Sequence, residues 1–217
     1  MGTLRIVIAD DHAVVRAGYR RLLELERGFE VVAEFGDGDS AREWLAAHPA
    51  DILILDLSMP GRGGMETLQR LRASVPQLDI LVFTMHESAA LAAQALRLGA
   101  RGYLTKSSAP EALVEAVREI GNGARVVSAE IEQGIKRSAR GVPLPHLSLS
   151  PRELDIFLML AQGLAVDAIA ERLQMSAKTA ANYQTTIRKK TGLGGALDMH
   201  RYATTHGLLQ VKTDGRA

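Results

Sequence analysis

The chain of 217 residues is 47% hydrophobic and contains no cysteine, which excludes disulfides, thiol catalysis and thiolate metal sites and leaves room for one large or two small cored domains. No run approaches the roughly 18 apolar residues of a membrane span, and no basic segment followed by a cleavable apolar stretch opens the chain, so a cytoplasmic location is expected. The formal net charge of +1 conceals an asymmetry: residues 1–124 carry 13 Lys+Arg against 17 Asp+Glu, residues 125–147 carry 4 against 2, and residues 148–217 carry 9 against 6.

An acidic front and a basic back predict different partners, with the basic end the candidate for nucleic acid. Along residues 1–124 five apolar or β-branched runs, "LRIVIA", "FEVVAEF", "DILILDL", "LDILVFT" and "RGYLT", alternate with helical patterns at 14–25, 40–48, 65–74, 88–98 and 110–120. Strands separated by crossover helices imply a parallel sheet, and the pattern predicts an α/β domain of (βα)5 doubly wound type. Ligands in such sheets bind beyond the carboxyl ends of the strands. Residues 121–147 break the pattern and read as a linker with one helical piece, "SAEIEQGIKRSA", whose Ile131 and Ile135 share a face. From Ser150 the pattern is helical: "SPRE" is a capping box, and Leu154, Phe157, Leu158 and Ala161 repeat at one face until Gly163. Further helices are predicted at 166–173, 177–190 and 196–206, with "VKTDGRA" as a fraying tail.

The carboxyl ends of the predicted strands carry Asp10 and Asp11, Asp56, Thr84, and Tyr103 with Thr105 and Lys106. Taken singly these residues have ordinary readings. Asp10 and Asp11 could N-cap the first helix, Asp56 could cap the turn before "MPG", Thr84 could be a strand residue, and Lys106 a solvated loop charge. Their convergence on one edge points instead to chemistry. Clustered carboxylates repel one another, and a hard divalent cation, Mg²⁺, resolves the repulsion. Such a site suits phosphoryl transfer, with Asp56 as nucleophile, Lys106 as a point charge for a phosphoryl oxygen and Thr84 as a hydrogen-bond donor.

Asp10-Asp11, Asp56 within "DLSMPGRGG", Thr84 and Lys106 together resemble the acidic pair, phosphoacceptor, switch hydroxyl and lysine of a response-regulator receiver domain, a flavodoxin-like fold. The resemblance spans residues 4–122. It implies that Asp11 and Asp56 ligate Mg²⁺ directly with the Ser58 backbone carbonyl, that Asp10 assists through water, and that Tyr103 rotates with Thr84. Ser58 and His86, two residues beyond Asp56 and Thr84, stand where they would tune hydrolysis.

In the basic end, "DAIAERLQMSAKTAANYQTTIRKK" has helix-turn-helix spacing, with the second helix N-capped by Ser176. Lys178, Asn182, Thr185 and Lys189 share one face of that helix with Ala181 beside them, and Ala180, Ile187 and Thr191 mark the inward face. An amide and a hydroxyl between basic ends suit base edges flanked by phosphates. The stretch from "LSPRE" to "RKKTGL" resembles the LuxR-type helix-turn-helix of the NarL/FixJ response regulators, over residues 148–209. That resemblance implies base contacts from Ala181, Asn182 and Thr185 and phosphate contacts from Lys178, Thr179, Tyr183, Arg188 and Lys189. Ala180 and Thr191 depart from the larger apolar residues usual on the inward face, which leads to the expectation that Thr191→Leu stabilises the domain.

The reading is therefore a receiver domain at 1–122, a linker at 123–147 and a smaller all-α helix-turn-helix domain at 148–217. The expected partners are a sensor histidine kinase, double-stranded DNA, RNA polymerase and, on phosphorylation, a second copy of the chain. The protein is expected to act as a transcription regulator rather than an enzyme, although slow loss of its own phosphoryl group is compatible with that role. Two other readings compete. A phosphatase of the haloacid-dehalogenase kind also uses an Asp nucleophile at a strand end, but wants a second Asp where this chain has Ser58. A receiver that only dimerises, without phosphorylation, would not need Thr84 and Lys106.

Overall fold

The structure is a computed structural model and describes residues 2–61, 63–138 and 144–209, the side chains of 136–138 excepted. The predicted tail at 211–217 lies outside the described residues. The first half of the chain alternates β1 (Leu4–Ala9), α1 (Ala13–Glu24), β2 (Phe29–Phe35), α2 (Gly38–Ala47), β3 (Ile52–Leu55), α3 (Gly64–Ser74), β4 (Asp79–Thr84), α4 (Ala89–Arg97), β5 (Gly102–Thr105) and α5 (Pro110–Gly121). All strands pair in parallel, in the order β2-β1-β3-β4-β5, and a short β6 (Val126–Val127) extends the edge beside β5. Strand order reverses at β1 and β3, so the crevice expected in a doubly wound sheet opens at their carboxyl ends.

The apolar runs form strands because helices cover both faces of the sheet. All four residues of β3 are buried. Ile6, Ile8, Ile52, Ile54 and Phe83 point to the side where Leu23 of α1 and Leu113, Val117 and Ile120 of α5 complete a core. Val7, Leu53, Leu55, Ile80 and Val82 point to the other, where they meet Leu45 of α2, Leu68 and Leu71 of α3 and Leu91 of α4. Asp37 caps α2 and Ser88 caps α4 through their side chains, whereas α1 has His12 at its N-cap and no side-chain cap. Asp10 Oδ1 accepts from the His12 amide at 2.9 Å just ahead of α1, a turn contact that leaves its Oδ2 for the crevice.

The segment read as linker contains β6 and α6 (Ala129–Ser138). Ile131 is buried and Ile135 half-buried, as the shared face predicts. A Cβ at Gly134 would lie 2.6 Å from the Cβ of Ala89, so the absent side chain lets α6 approach α4 closely. A 3-10 turn (Pro145–Ser148) leads into α7 (Pro151–Ala161), α8 (Val166–Arg172), α9 (Ala177–Thr191) and α10 (Ala196–Thr205). Both halves of the Ser150–Glu153 capping box form, and Ser176 caps α9 by accepting from the Thr179 amide at 3.1 Å. Leu154, Phe157, Ile169, Ile187 and Ala203 close the core of these helices, which is continuous with the α3 and α4 side of the sheet.

Candidate functional site

Four neighbouring strands deliver the predicted residues to one edge. Asp10 follows β1, Asp56 follows β3, Thr84 ends β4 and Lys106 follows β5. Backbone bonds extend the ladders past the strand ends: Asp10 N–H donates to Phe35 O at 3.0 Å, Asp56 N–H to Ala9 O at 2.9 Å and Lys106 N–H to Thr84 O at 2.8 Å. The side chains therefore stand on rigid backbone.

Lys106 Nζ donates to Asp10 Oδ2 and to Asp56 Oδ2, each at 2.6 Å, with all three side chains at most 7% exposed. Burial alone would pull the Lys106 pKa down, but the Asp56 charge and the bonds to Asp10 and Asp56 outweigh it, and the net shift is upward. The ammonium thus holds two buried acids together in place of a solvent shell. Asp10, Asp11, His12 and Asp56 offer ligand atoms that all lie within 4.8 Å of one another. Three carboxylates in a crevice fit a hard cation with oxygen preference, Mg²⁺ among them. His12 was not singled out in the sequence; its Nδ1 lies 2.8 Å from Asp11 Oδ1, and the signal for it was its position directly after the acidic pair.

The rim is formed by the loop after β4. Thr84 is fully buried and its Oγ1 accepts loosely from the His86 amide at 3.5 Å. Tyr103, also fully buried, donates its hydroxyl to His86 O at 2.7 Å, and burial pushes its phenol pKa up. His86 Nε2 lies 3.5 Å from Ser58 Oγ, so the two residues placed beside the site from sequence do meet. Burial lowers the His86 pKa against the opposing charge of Asp56. Ser58 N–H donates to Asp56 Oδ1 at 3.1 Å. Its carbonyl, which the sequence reading assigned to the metal, accepts from Arg172 Nη2 of α8 at 2.9 Å.

On α9 the structure exposes Lys178, Thr179, Ala181, Asn182, Thr185, Arg188 and Lys189, leaves Tyr183 half-buried, and buries Ala180, Ile187 and Thr191 on the opposite face. Thr185 also donates its hydroxyl within the helix, to Ala181 O at 3.1 Å, leaving its oxygen as an acceptor. Lys190, the remaining basic residue in this turn, is spent on Glu153 of the capping box at 2.7 Å. Thr179 and Tyr183 face Glu66 and Arg70 of α3 across a cleft of 680 Å³.

A doubly wound domain with an acid and lysine crevice, joined to a helix-turn-helix with a basic exposed face, defines a receiver domain coupled to a DNA-binding domain. Comparison with known proteins agrees. Residues 6–118 match the response regulator receiver domain and residues 147–203 the luxR family of bacterial regulatory proteins. The chain is 36% identical over 213 residues to the response regulator UvrY of Escherichia coli O6:H1, covering 97% of this chain and 98% of that protein. It is 36% identical over 217 residues to the oxygen regulatory protein NreC of Staphylococcus epidermidis, covering 95% and 100%. Among solved structures, the RcsB response regulator of Salmonella typhimurium matches with a TM-score of 0.75 at 30% identity over 95% of this chain and 99% of that one. RcsB bound to a promoter in the presence of the phosphomimetic BeF3⁻ matches with a TM-score of 0.72 at 29% identity, over 94% and 100%. The chain belongs to the NarL/FixJ response regulators, DNA-binding transcription regulators of two-component systems rather than enzymes. Among the described residues no helix is long and apolar enough to cross a membrane.

Proposed function

We propose that Asp56 is the phosphoacceptor through which a sensor histidine kinase controls this regulator. The observation that carries the reading is the buried Asp10–Lys106–Asp56 cluster at the strand ends. An Asp56 carboxylate oxygen attacks phosphorus, and the bond from phosphorus to the donor breaks with its electron pair leaving on the donor. Asp10, Asp11, Asp56 and the Ser58 carbonyl would hold Mg²⁺, which neutralises charge on the incoming phosphoryl oxygens when bound. Lys106 stands within reach to pair with one of those oxygens, and the Thr84 hydroxyl to donate to another. Tyr103 follows Thr84 through the shared loop at His86. Ser58 and His86 flank the approach of water, so they set the lifetime of the acyl phosphate.

In this reading the receiver occupies 1–122, the linker 123–147 and the DNA-binding domain 148–217. Ala181, Asn182 and Thr185 read base edges of double-stranded DNA, and Lys178, Thr179, Tyr183, Arg188 and Lys189 hold phosphates. Phosphorylation favours a homodimer, RNA polymerase is the downstream partner, and the protein works in the cytoplasm. Incubation with acetyl phosphate and Mg²⁺, followed by mass spectrometry, tests the chemistry. Wild-type protein gains one base-labile phosphoryl group and Asp56→Asn gains none; equal labelling of the two sinks the assignment.

A further inference from the structure

Several polar contacts between the two domains fall on the loop that follows Asp56 and on the first turn of α3, besides the bond from Gln94 of α4 to Leu149 O at 3.4 Å. Arg172, at the end of α8, donates from Nη2 to Ser58 O at 2.9 Å, and its own carbonyl accepts from Gly61 N–H at 3.0 Å. Asp155 of α7, buried, accepts from the Glu66 amide at 3.4 Å, and Arg152 pairs with Glu66 at 3.2 Å. The N-cap of α3 is Gly63, which has no side chain to offer, so α7 supplies the cap that α3 lacks. A cavity of 60 Å³ lined in part by Ser58, Gly63, His86, Asp155 and Arg172 remains between the partners. Leu57, Met59, Leu158 and Met159 share the lining, so the contact is part polar and part apolar, and it is incompletely filled, which leaves the domains room to part.

We propose that docking of α7 and α8 on this loop and binding of a divalent cation at the Asp10, Asp11 and Asp56 site oppose each other, with Arg172 as the coupling residue. The inference rests on the metal reading given above. Ser58 connects the two events at one residue: its amide donates to Asp56 Oδ1 at 3.1 Å while its carbonyl holds the Arg172 guanidinium. A carbonyl has two lone pairs and could face both cations. Yet a guanidinium and a divalent ion on one oxygen bring like charges to within about 5 Å, close enough to repel even though the guanidinium is exposed to solvent. Whatever the metal costs the docked state, docking must cost the metal by the same factor.

Calorimetric Mg²⁺ titration of the full chain, wild type against Arg172→Ala, tests the coupling. Arg172 is exposed, so its removal leaves the core intact. The variant is expected to bind Mg²⁺ about tenfold tighter, within the usual range for coupled sites. In the wild type, saturating Mg²⁺ is expected to speed hydrogen exchange at the amides of Gly61 and Glu66, which the docked domain protects. Equal affinities, or exchange unchanged by Mg²⁺, would overturn the coupling and leave the metal site standing. Absence of Mg²⁺ binding in both proteins would overturn the coupling together with the metal reading.

Discussion

Lys106 shows why the site is held as it is. Its ammonium is the partner that two buried carboxylates share, so Lys106→Met strands both charges in the crevice. In EDTA the variant is expected to lose about 3 kcal/mol of stability, the scale of breaking a buried pair from one side. Mg²⁺ should restore part of that loss, because a second cation replaces the missing charge. Thermal denaturation with and without Mg²⁺ checks both statements, and a variant as stable as wild type in EDTA would refute them. The acids, Thr84 and Lys106 were legible in the sequence because each closes a strand pattern, and strand ends of a doubly wound sheet share an edge. Arg172, Asp155 and Lys190 were not. Their roles come from contacts across elements that no local pattern encodes: with the loop after β3, the N-terminus of α3 and the capping box.

At the scale of elements, the inward face of α9 corrects an expectation. Thr191 is buried as its place on that face implies, but its hydroxyl donates to Ile187 O at 2.8 Å and accepts from the Leu193 amide at 3.4 Å. Leu at 191 gains apolar area yet leaves the Leu193 amide without that partner at the helix end. Thr191→Leu is therefore expected to lower stability by about 1 kcal/mol rather than raise it, since the lost bond offsets the added burial. A raised melting temperature would restore the original expectation. The short strand β6 escaped the sequence because two valines after "GNGAR" carry no alternation of their own; only the open edge of β5 makes them a strand. Gly63 marks the same dependence on neighbours. It sits at φ +89°, and a Cβ there would run into the Asp155 carboxylate. Gly63→Ala combines backbone strain of about 1 to 3 kcal/mol, because φ +89° with ψ 149° is a region that essentially only glycine adopts, with that collision, so it should open the domains. Small-angle scattering should report a larger radius of gyration; an unchanged radius would show that α7 can yield in place.

For the whole molecule, the acid at the domain interface predicts a pH response. Burial pushes the Asp155 pKa up to about 8, against the Glu66 and Met65 amides and the Arg152 charge that favour the carboxylate, with Glu66 adding to the rise. An acid whose pKa is raised on docking favours the docked state while it stays protonated, so docking is strongest below the ordinary Asp range and weakens as pH rises through about 8. The domains should therefore separate more readily at pH 9 than at pH 6, and Asp155→Asn should abolish the difference; hydrogen exchange at the α3 N-terminus reports it. On DNA, one recognition helix reaches only a few base pairs, so two copies and two half-sites roughly 10 base pairs apart are expected. Asn182→Ala should cost about 1 to 3 kcal/mol and relax preference at one position, whereas Lys189→Ala should weaken all sequences alike. Selection from random DNA followed by a salt series separates the two. The claim that joins both domains is that phosphoryl transfer to Asp56 governs DNA binding. Its most direct measurement is the affinity of the full chain for a selected two-half-site duplex, before and after treatment with acetyl phosphate and Mg²⁺, beside Asp56→Asn treated alike. Tighter binding by the treated wild type alone is the predicted result. An equal gain in the variant, or no change in the wild type once it is shown to be phosphorylated, would contradict the account.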